Sequence, residues 1–485
     1  MHKQKFAPAM FFFAVFGALM LFFVRINPIV VFDADDWLYA SYMRSPVPIW
    51  GGWNPTRILP EIFMPFVSNI GAFILYPLTG DYLGALTTAY GAAVSASIVG
   101  YLYVVYRFLC CKVTSSKSIA LGATALFLLL HFNIFKVGVS NNSYLFFSAD
   151  ATCYFFYTIP TLWIFSMIGL LELHPEWYDF TTNKHLLPKS ILLAAAYLLV
   201  FSNLYCSYLL ALWCGFKILQ SIQLPFQLRQ MVCKNAFPLV VLAAWFVSLV
   251  FELNGGRADS LSQVSFREGL LQSMQYFFKT SYGPMFKGVA VGCVVLGVVL
   301  MAANRKEDYT KAVAQKAAYM VASAVLSLIF LLLLTGVTIP SYIARADVTL
   351  GAFVWALGSI VLLAVYIAEK LPLAKACIPL LLVLQLFSIQ VYSFMGSINP
   401  VANVHQAQKI NEDILQQFEQ GIERGDEMLQ LHIPALDPSW PLPPAYIGDR
   451  MAETLYRHRV IPYKIQVIAV QDAAMNERYG IGRKG

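Results

Sequence analysis

Long apolar segments constrain this chain more than any other feature, because they recur along most of its 485 residues. A helix needs about 20 consecutive, mostly apolar residues to cross a bilayer. In lipid the backbone must satisfy its own hydrogen bonds, which favours helices for such segments. Hydrophobic residues make up 58% of the chain and charged residues 13%, and the mean hydropathy is +0.62, outside the range of soluble domains. The sequence therefore predicts an all-α polytopic membrane protein.

The apolar pattern predicts about eleven spans. The first follows Lys3 and Lys5 and lacks a small-residue cleavage site beyond it, so we expect a retained anchor rather than a removed signal. Two short segments around Asn203 alternatively form a broken helix or an interfacial hairpin, which would leave about nine spans. The predicted spans lie near 7–24, 83–107, 118–137, 153–172, 190–203, 207–221, 237–252, 286–303, 317–337, 348–368 and 376–395.

Basic loops set the expected orientation, since short loops rich in Lys and Arg stay in the cytoplasm. The chain has six such loops, which are the N-terminus, 107–117, 184–189, 229–234, 305–316 and 370–375. They share one side only if the segment from Glu61 to Leu78 does not cross, and its Pro60, Pro65 and Pro77 favour a re-entrant or interfacial piece. This places the N-terminus inside and the C-terminus outside.

Two domains follow from this layout. Residues 1–395 form the transmembrane domain, and 396–485 form a small α/β extracytoplasmic domain or lid. The tail has helix-like stretches at Ile410 to Leu431 and Ala452 to His458, and a strand-like stretch at 464–470. The outer loops, where we expect function, are 25–82, 138–152, 253–285 and 338–347.

The first outer loop carries three carboxylates within four residues, Asp33, Asp35 and Asp36. Carboxylates at the edge of a span serve as general bases or cation ligands, although a solvated cluster at the end of a span is the ordinary alternative. In a helix Asp33 and Asp36 share a face, whereas Asp35 points elsewhere.

Aromatic residues surround this cluster and offer flat faces for a sugar. Trp and Tyr also form interfacial belts in most membrane proteins, which is the competing interpretation. The candidate substrate-binding residues are Trp37, Tyr39, Trp53 and Glu61, with Tyr42 and Trp50 close by in sequence.

Arginines in outer loops run against the positive-inside trend and suit a phosphate partner, because the guanidinium group binds phosphate in a bidentate manner. Arg57 is the first candidate, Arg345 the second, and Arg257 the third. Alternatively, Arg57 is an interfacial charge, and the other two are loop charges paired with the nearby Asp259 and Asp347.

One span, an outer loop with an Asp-Asp pair, a Trp-x-x-x-Arg element and many further spans resemble the integral-membrane GT-C glycosyltransferases. The length and the C-terminal domain are similar to the serotype-converting glucosyltransferases of O-antigen in bacteria and phages. The specific motif covers residues 33–61, and the rest of the likeness is one of topology.

This resemblance implies an inverting transfer of a sugar such as glucose from a polyprenyl-phosphate carrier to a glycan acceptor such as O-antigen of lipopolysaccharide. It implies a bacterial inner-membrane protein acting on the periplasmic side. Asp35 and Asp36 match the acidic pair, with Asp36 favoured as base and Asp35 as orienter or cation ligand. A divalent cation held by two Asp and Glu61 is compatible with these residues.

Other classes are less well supported. A transporter or flippase calls for ionisable pairs near mid-span or interrupted helices in matching halves, and the chain shows neither clearly. An O-antigen polymerase or ligase would place function in large later loops. Phosphate-binding Gly-rich loops and hydrolase motifs are missing from the sequence, and the net charge of +7 fits loops that face anionic lipid, not nucleic acid.

Overall fold

The computed structural model describes residues 3–46, 55–133, 145–180, 186–222, 228–254, 265–279, 307–370, 377–387, 394–395 and 401–481. Trp50, Trp53, Arg257 and the predicted span at 286–303 lie outside the described residues. The α-helices are Lys3–Leu21, Ala34–Ser41, Ile58–Ile70, Tyr76–Thr79, Tyr82–Lys112, Lys117–Asn133, Ala151–Cys153, Ile159–Leu173, Leu186–Val200, Leu204–Ser221, Leu228–Lys234, Ala236–Leu253, Phe266–Lys279, Asp308–Val337, Ala346–Lys370, Cys377–Phe387, Val404–Arg424, Ile447–Arg457 and Ala473–Tyr479.

Helical segments long and apolar enough to cross a membrane confirm the multi-pass membrane class. Within the described residues there are 7 of them, which are Ala7–Ile26, Ile58–Thr79, Tyr82–Lys112, Ala151–Leu173, Ala236–Leu253, Asp308–Val337 and Ala346–Lys370. The Lys117–Phe132 and Leu187–Val200 helices are apolar but shorter. Only residues 201–203 separate Val200 from the start of Leu204–Ser221, so the structure has a broken helix near Asn203.

The Ile58–Thr79 segment was expected to be a re-entrant or interfacial piece because of its prolines. It forms one helical run of 22 residues, long and apolar enough to cross a membrane, that includes a π-helical turn at Gly71–Leu75. Proline lacks an N–H and therefore frees the carbonyl four residues earlier. The Glu61 carbonyl, freed by Pro65, accepts the backbone N–H of Arg44 at 3.2 Å. A partner outside the helix thus satisfies the free carbonyl, and the helix continues through Pro65.

The two ends of this helix have different neighbours. Near its start, Glu61 binds Arg44, just beyond the Ala34–Ser41 helix. Near its end, the Phe73 ring lies edge-on to His458 of the C-terminal region (residues 401–481), with 6.2 Å between ring centroids. Its length and composition would allow the helix to cross a membrane.

The Ala346–Lys370 helix lies at the centre of the bundle, since 83% of its apolar stretch is buried against 22% for Ala7–Ile26. Two other helices, Tyr82–Lys112 and Ile159–Leu173, pack closely where Gly169 meets Val104. A Cβ atom at Gly169 would lie 2.5 Å from Cγ1 of Val104, so only glycine allows this approach.

The C-terminal region has a strand–helix–strand core. Strands Met428–Pro434 and Gln466–Asp472 pair in parallel, and the Ile447–Arg457 helix lies between them in sequence. Leu429, Leu431 and Ile433 are buried on alternate positions of the first strand. A second pair of short strands, Phe394–Met395 and Ala402–Asn403, is antiparallel.

The predicted strand at 464–470 is confirmed within two residues, whereas the predicted helix from Ile410 to Leu431 is partly wrong. The helix ends at Arg424, because Gly425 takes a left-handed conformation with φ of 74° that only glycine adopts readily. Alternating burial then makes Met428–Pro434 a strand.

The C-terminal region packs directly on the segment that follows the first span. The Ala34 backbone N–H donates to the Pro441 carbonyl at 3.1 Å, and Ser41 Oγ lies 2.8 Å from Thr454 Oγ1. His458 Nδ1 lies 2.7 Å from the Tyr82 hydroxyl. The acidic loop and the C-terminal region therefore lie on the same side of the bundle.

Candidate functional site: a buried carboxylate cluster

The acidic segment forms a short helix, Ala34–Ser41, that begins at its own carboxylate. Asp33 is the N-cap, and its Oδ1 accepts the backbone N–H of Asp36 at 2.7 Å. This spacing places Asp33 and Asp36 on one face at the helix N-terminus, as the sequence predicted, where the helix dipole favours negative charge.

Asp36 is fully buried and fixed by three hydrogen bonds. Its Oδ1 accepts the backbone N–H of Thr152 at 2.7 Å and the Thr152 hydroxyl at 2.6 Å. Its Oδ2 accepts the backbone N–H of Phe32 at 3.1 Å. Asp36 therefore ties the first outer loop to the start of the Ala151–Leu173 span, while the half-buried Asp33 is the more accessible carboxylate.

Asp150 completes the cluster, and the sequence analysis did not single it out. Carboxylate oxygens of Asp33, Asp36 and Asp150 all lie within 4.8 Å of one another. A parallel bridge between Val30 and Asp150 holds the two segments together. Its position could have indicated Asp150 as a site residue, because it lies just before the predicted span at 153–172, on the same side of the membrane as Asp33.

Burial and mutual repulsion disfavour the charged forms of these groups. Burial raises the pKa of Asp36 to about 6, although the hydrogen bonds from Thr152 and Phe32 lower it in part. Burial raises the pKa of Asp33 well above its usual value, and the charges of Asp36 and Asp150 add to the shift. A carboxyl group with a pKa closer to neutrality is better suited to take up a proton.

The same oxygens fit a hard divalent cation. Such ions take carboxylate oxygens at about 2.0 to 2.6 Å, so ligand atoms on opposite sides of an ion lie about 4 to 5 Å apart. Because the carboxylate oxygens of the cluster all lie within 4.8 Å of one another, they could reach one ion, and the donor set contains only oxygen. Glu61, expected as a third ligand, instead lies 3.4 Å from the Arg44 guanidinium.

Asp35 pairs with an arginine of the C-terminal region, whereas its expected role as orienter or cation ligand requires a place beside Asp36. Its Oδ1 lies 3.0 Å from Nη1 of Arg450 in the C-terminal region, and the Asp35 side chain is 46% exposed. The Arg450 guanidinium also stacks on Tyr446, 4.3 Å from the ring centroid. The structure thus places Asp35 at the contact with the C-terminal region, not in the cluster with Asp36.

Arg345 lies close to the cluster, but an internal carboxylate compensates its charge. Its Nε and Nη2 donate to the two oxygens of Asp347 at 3.1 and 2.8 Å. The guanidinium also lies over Tyr157 and Tyr342, 4.7 and 4.9 Å from the ring centroids. Cys153 links it to the cluster, since Sγ lies 3.5 Å from Nη2 of Arg345 and 3.8 Å from Oδ2 of Asp150.

Arg57 is half-buried and precedes the Ile58–Ile70 helix in a left-handed conformation, with φ of 60°. No residue that the structure describes makes a hydrogen bond or ion pair with its guanidinium, although Tyr39 and Glu61 lie within electrostatic range. Tyr39 packs against Phe156 with 4.7 Å between ring centroids. Arg57 therefore keeps its charge available for an anion.

Trp37 does not suit the expected substrate-binding role. It is fully buried, and its carbonyl accepts the Thr454 hydroxyl at 2.5 Å. Its ring belongs to the core between the short acidic helix and the C-terminal region. Tyr39, by contrast, keeps part of its ring exposed.

No protein-family model, curated protein or solved structure matches this chain.

Proposed function

We propose that this protein is a membrane glycosyltransferase that moves a sugar such as glucose from a polyprenyl-phosphate carrier to a surface glycan such as O-antigen. The observation that carries the proposal is the carboxylate cluster of Asp33, Asp36 and Asp150 at the end of the first span. A lipid-linked donor must react at such a membrane boundary, because its chain stays in the bilayer while its phosphate reaches water.

The two outer segments also support this proposal. The C-terminal region covers the acidic loop through Thr454 and Arg450, so a glycan acceptor meets the cluster between protein surfaces. We assign this side to the periplasm of a bacterial inner membrane and the N-terminus to the cytoplasm. This assignment requires that Ile58–Thr79 does not cross the membrane.

The proposed reaction is a single inverting displacement. A carboxylate takes the proton of the acceptor hydroxyl while that oxygen attacks the anomeric carbon, and the bond from this carbon to the phosphate oxygen breaks. The electron pair leaves with the phosphate, whose charge Arg57 stabilises. Asp33 is the better base because it is the more accessible of the two, and Asp36 positions it.

A divalent cation, where bound, would neutralise charge at Asp33, Asp36 and Asp150. The residues themselves bind and orient: Thr152 holds Asp36, and the Asp36 backbone N–H holds Asp33. Arg345 is neutralised by Asp347 and stabilises the wall beside the cluster.

The test is transfer of labelled glucose from polyprenyl-phosphate glucose to lipopolysaccharide in membranes that contain the protein. We expect product in wild-type membranes and none with the Asp33→Asn/Asp36→Asn variant at a matched protein level. Absence of transfer with a panel of polyprenyl-phosphate sugars and glycan acceptors would refute the proposal.

Sidedness has its own test. A reporter fused after Gly396 should behave as periplasmic, and one inserted at 305–316 as cytoplasmic. A cytoplasmic tail would mean that the carboxylate cluster faces the cytoplasm too, since the two are in contact, and would exclude a periplasmic reaction.

A further inference from the structure

A cavity of about 490 Å³ lies between helices at the end of the bundle opposite to the carboxylate cluster. On the Tyr82–Lys112 helix the cavity begins at Tyr101 and ends at Lys112, whereas Tyr90 lies near the cluster. At about 1.5 Å per residue, Tyr101 is about 16 Å and Lys112 about 33 Å along the helix from Tyr90. The cavity is therefore separate from the proposed catalytic site.

The inner part of the cavity is apolar, and its rim is basic. Its walls come from six helices and are formed by side chains such as Val105, Phe165, Met320 and Leu362. Three lysines, Lys112, Lys217 and Lys316, line it as well. Lipid-binding and ligand-binding pockets of this kind typically measure about 300 to 1,000 Å³. The shape and polarity fit a molecule with an apolar tail and a polar head.

The charge at the rim is positive overall. Glu172 is already engaged, since its Oε1 lies 2.7 Å from Nζ of Lys217 and accepts the Trp213 Nε1–H at 2.7 Å. Lys112 and Lys316 make no ion pair with any residue in the described part of the chain, and Lys112 is exposed. Two lysine charges therefore remain for an anionic head group.

Two buried donors belong to the inner walls of the cavity. The Tyr101 hydroxyl and Trp355 Nε1 belong to residues that line the cavity, and neither has a hydrogen-bond partner among the described residues. Tyr101 is about 16 Å along its helix from Lys112, so it lies in the part of the cavity that acyl chains would fill, not at the head group.

We propose that this cavity binds an anionic glycerophospholipid from the leaflet opposite to the carboxylate cluster, with its phosphate at Lys112 and Lys316 and its acyl chains along the apolar wall. Basic pockets between transmembrane helices are known to hold anionic lipid head groups, and lysine stems reach from apolar walls to the head-group level. The lipid would fill the space between Tyr82–Lys112 and Asp308–Val337 and stabilise their packing.

The experiment measures thermal unfolding of the delipidated full-length protein in detergent. Phosphatidylglycerol should raise the midpoint by about 2 to 6 °C, because a ligand that binds only the folded state stabilises it. Phosphatidylcholine and inorganic phosphate should leave the midpoint unchanged. The Lys112→Gln/Lys316→Gln variant should lose the response.

The matched control is Lys117→Gln/Lys311→Gln, which removes two charges at the same end of the bundle but outside the cavity lining. It should respond like the wild type. Ala312→Phe, which adds a ring at the cavity wall, should weaken the response without removing charge. Equal shifts with phosphatidylcholine, a shift with inorganic phosphate, or a full response in Lys112→Gln/Lys316→Gln would each overturn the proposal.

Discussion

The two ends of the helical bundle both hold unbalanced charge, of opposite sign, and they accommodate it differently. At the carboxylate end, oxygens of Asp33, Asp36 and Asp150 lie within 4.8 Å of one another, and Asp36 accepts hydrogen bonds from neutral N–H and O–H donors of Thr152. At the lysine end, Lys112 and Lys316 border an open cavity of about 490 Å³.

This difference follows from the side chains. A short Asp side chain cannot reach water from a buried position, so it must take up a proton, accept hydrogen bonds or bind a cation. A long Lys side chain keeps its charge at the surface while its stem covers apolar wall. The carboxylate end is therefore suited to proton transfer, and the lysine end to holding an anion.

The largest expected effect is on the rate of sugar transfer, and it differs between the two faces of the Ala34–Ser41 helix. Asp33→Asn and Asp36→Asn should each lower sugar transfer about 10² to 10⁴-fold, because loss of a general base or of its positioning group costs that much. Asp35→Asn should change it only a few-fold, since Asp35 pairs with Arg450. The measurement is transfer per milligram of protein in matched membranes. Similar small losses at all three positions would make the cluster an ordinary solvated interface.

The second prediction tests whether Arg345 is structural. Arg345→Met should destabilise the protein by about 3 to 5 kcal/mol, because it leaves the Asp347 carboxylate buried and unpaired. Arg345→Met combined with Asp347→Leu should recover most of that loss. Thermal unfolding measures both variants. An unchanged midpoint in Arg345→Met would show that Asp347 gains little from this pair.

The third prediction concerns Arg57, the uncompensated cation near the carboxylate end. Arg57→Lys should lower turnover about 10²-fold, because an ammonium group cannot reproduce a bidentate phosphate contact. Its unfolding midpoint should stay within experimental error of the wild type. Arg44→Lys is the matched control, since Arg44 already pairs with Glu61. Wild-type turnover in Arg57→Lys would make Arg57 an interfacial charge.

The smallest expected effect is on pH dependence. The pKa of Asp36 is raised to about 6 in the folded protein, so the folded state keeps a proton that the unfolded state has lost. Stability should therefore fall as pH rises from about 4 to about 7. Asp36→Asn should flatten this slope in thermal unfolding scans.

The last prediction concerns binding of a divalent cation at the carboxylate end. Millimolar Ca²⁺ or Mn²⁺ at pH 7.5 should raise the unfolding midpoint of the wild type if the cluster binds it, because the ion replaces the missing positive charge. Asp150→Asn should lose that rise. An equal rise in the variant would place the ion elsewhere.

Local patterns in the sequence correctly predicted features that depend on neighbouring residues. Apolar segments predicted the helical membrane class, and the spacing of Asp33 and Asp36 predicted their shared helix face. The strand-like stretch at 464–470 predicted the strand at Gln466–Asp472. Each of these follows from the periodicity of a helix or strand, or from the length needed to cross a bilayer.

Prolines in the Ile58–Thr79 segment favoured a re-entrant or interfacial piece, whereas the structure has one helical run of 22 residues. Their cost to a helix depends on whether the freed carbonyl finds a partner, and the backbone N–H of Arg44 supplies one for Glu61. The helix itself contains no information about that partner, so sequence periodicity could not predict an unbroken run.

The sequence by itself determined the membrane class of this protein and the local geometry of its acidic helix. Only the tertiary structure decided which carboxylates share a site. Asp36 binds Thr152 across 116 positions of the chain, and Asp35 binds Arg450 across 415. The physical reason is that local spacing sets the direction of each side chain, whereas its partners depend on how distant helices pack, which no short pattern in the chain encodes.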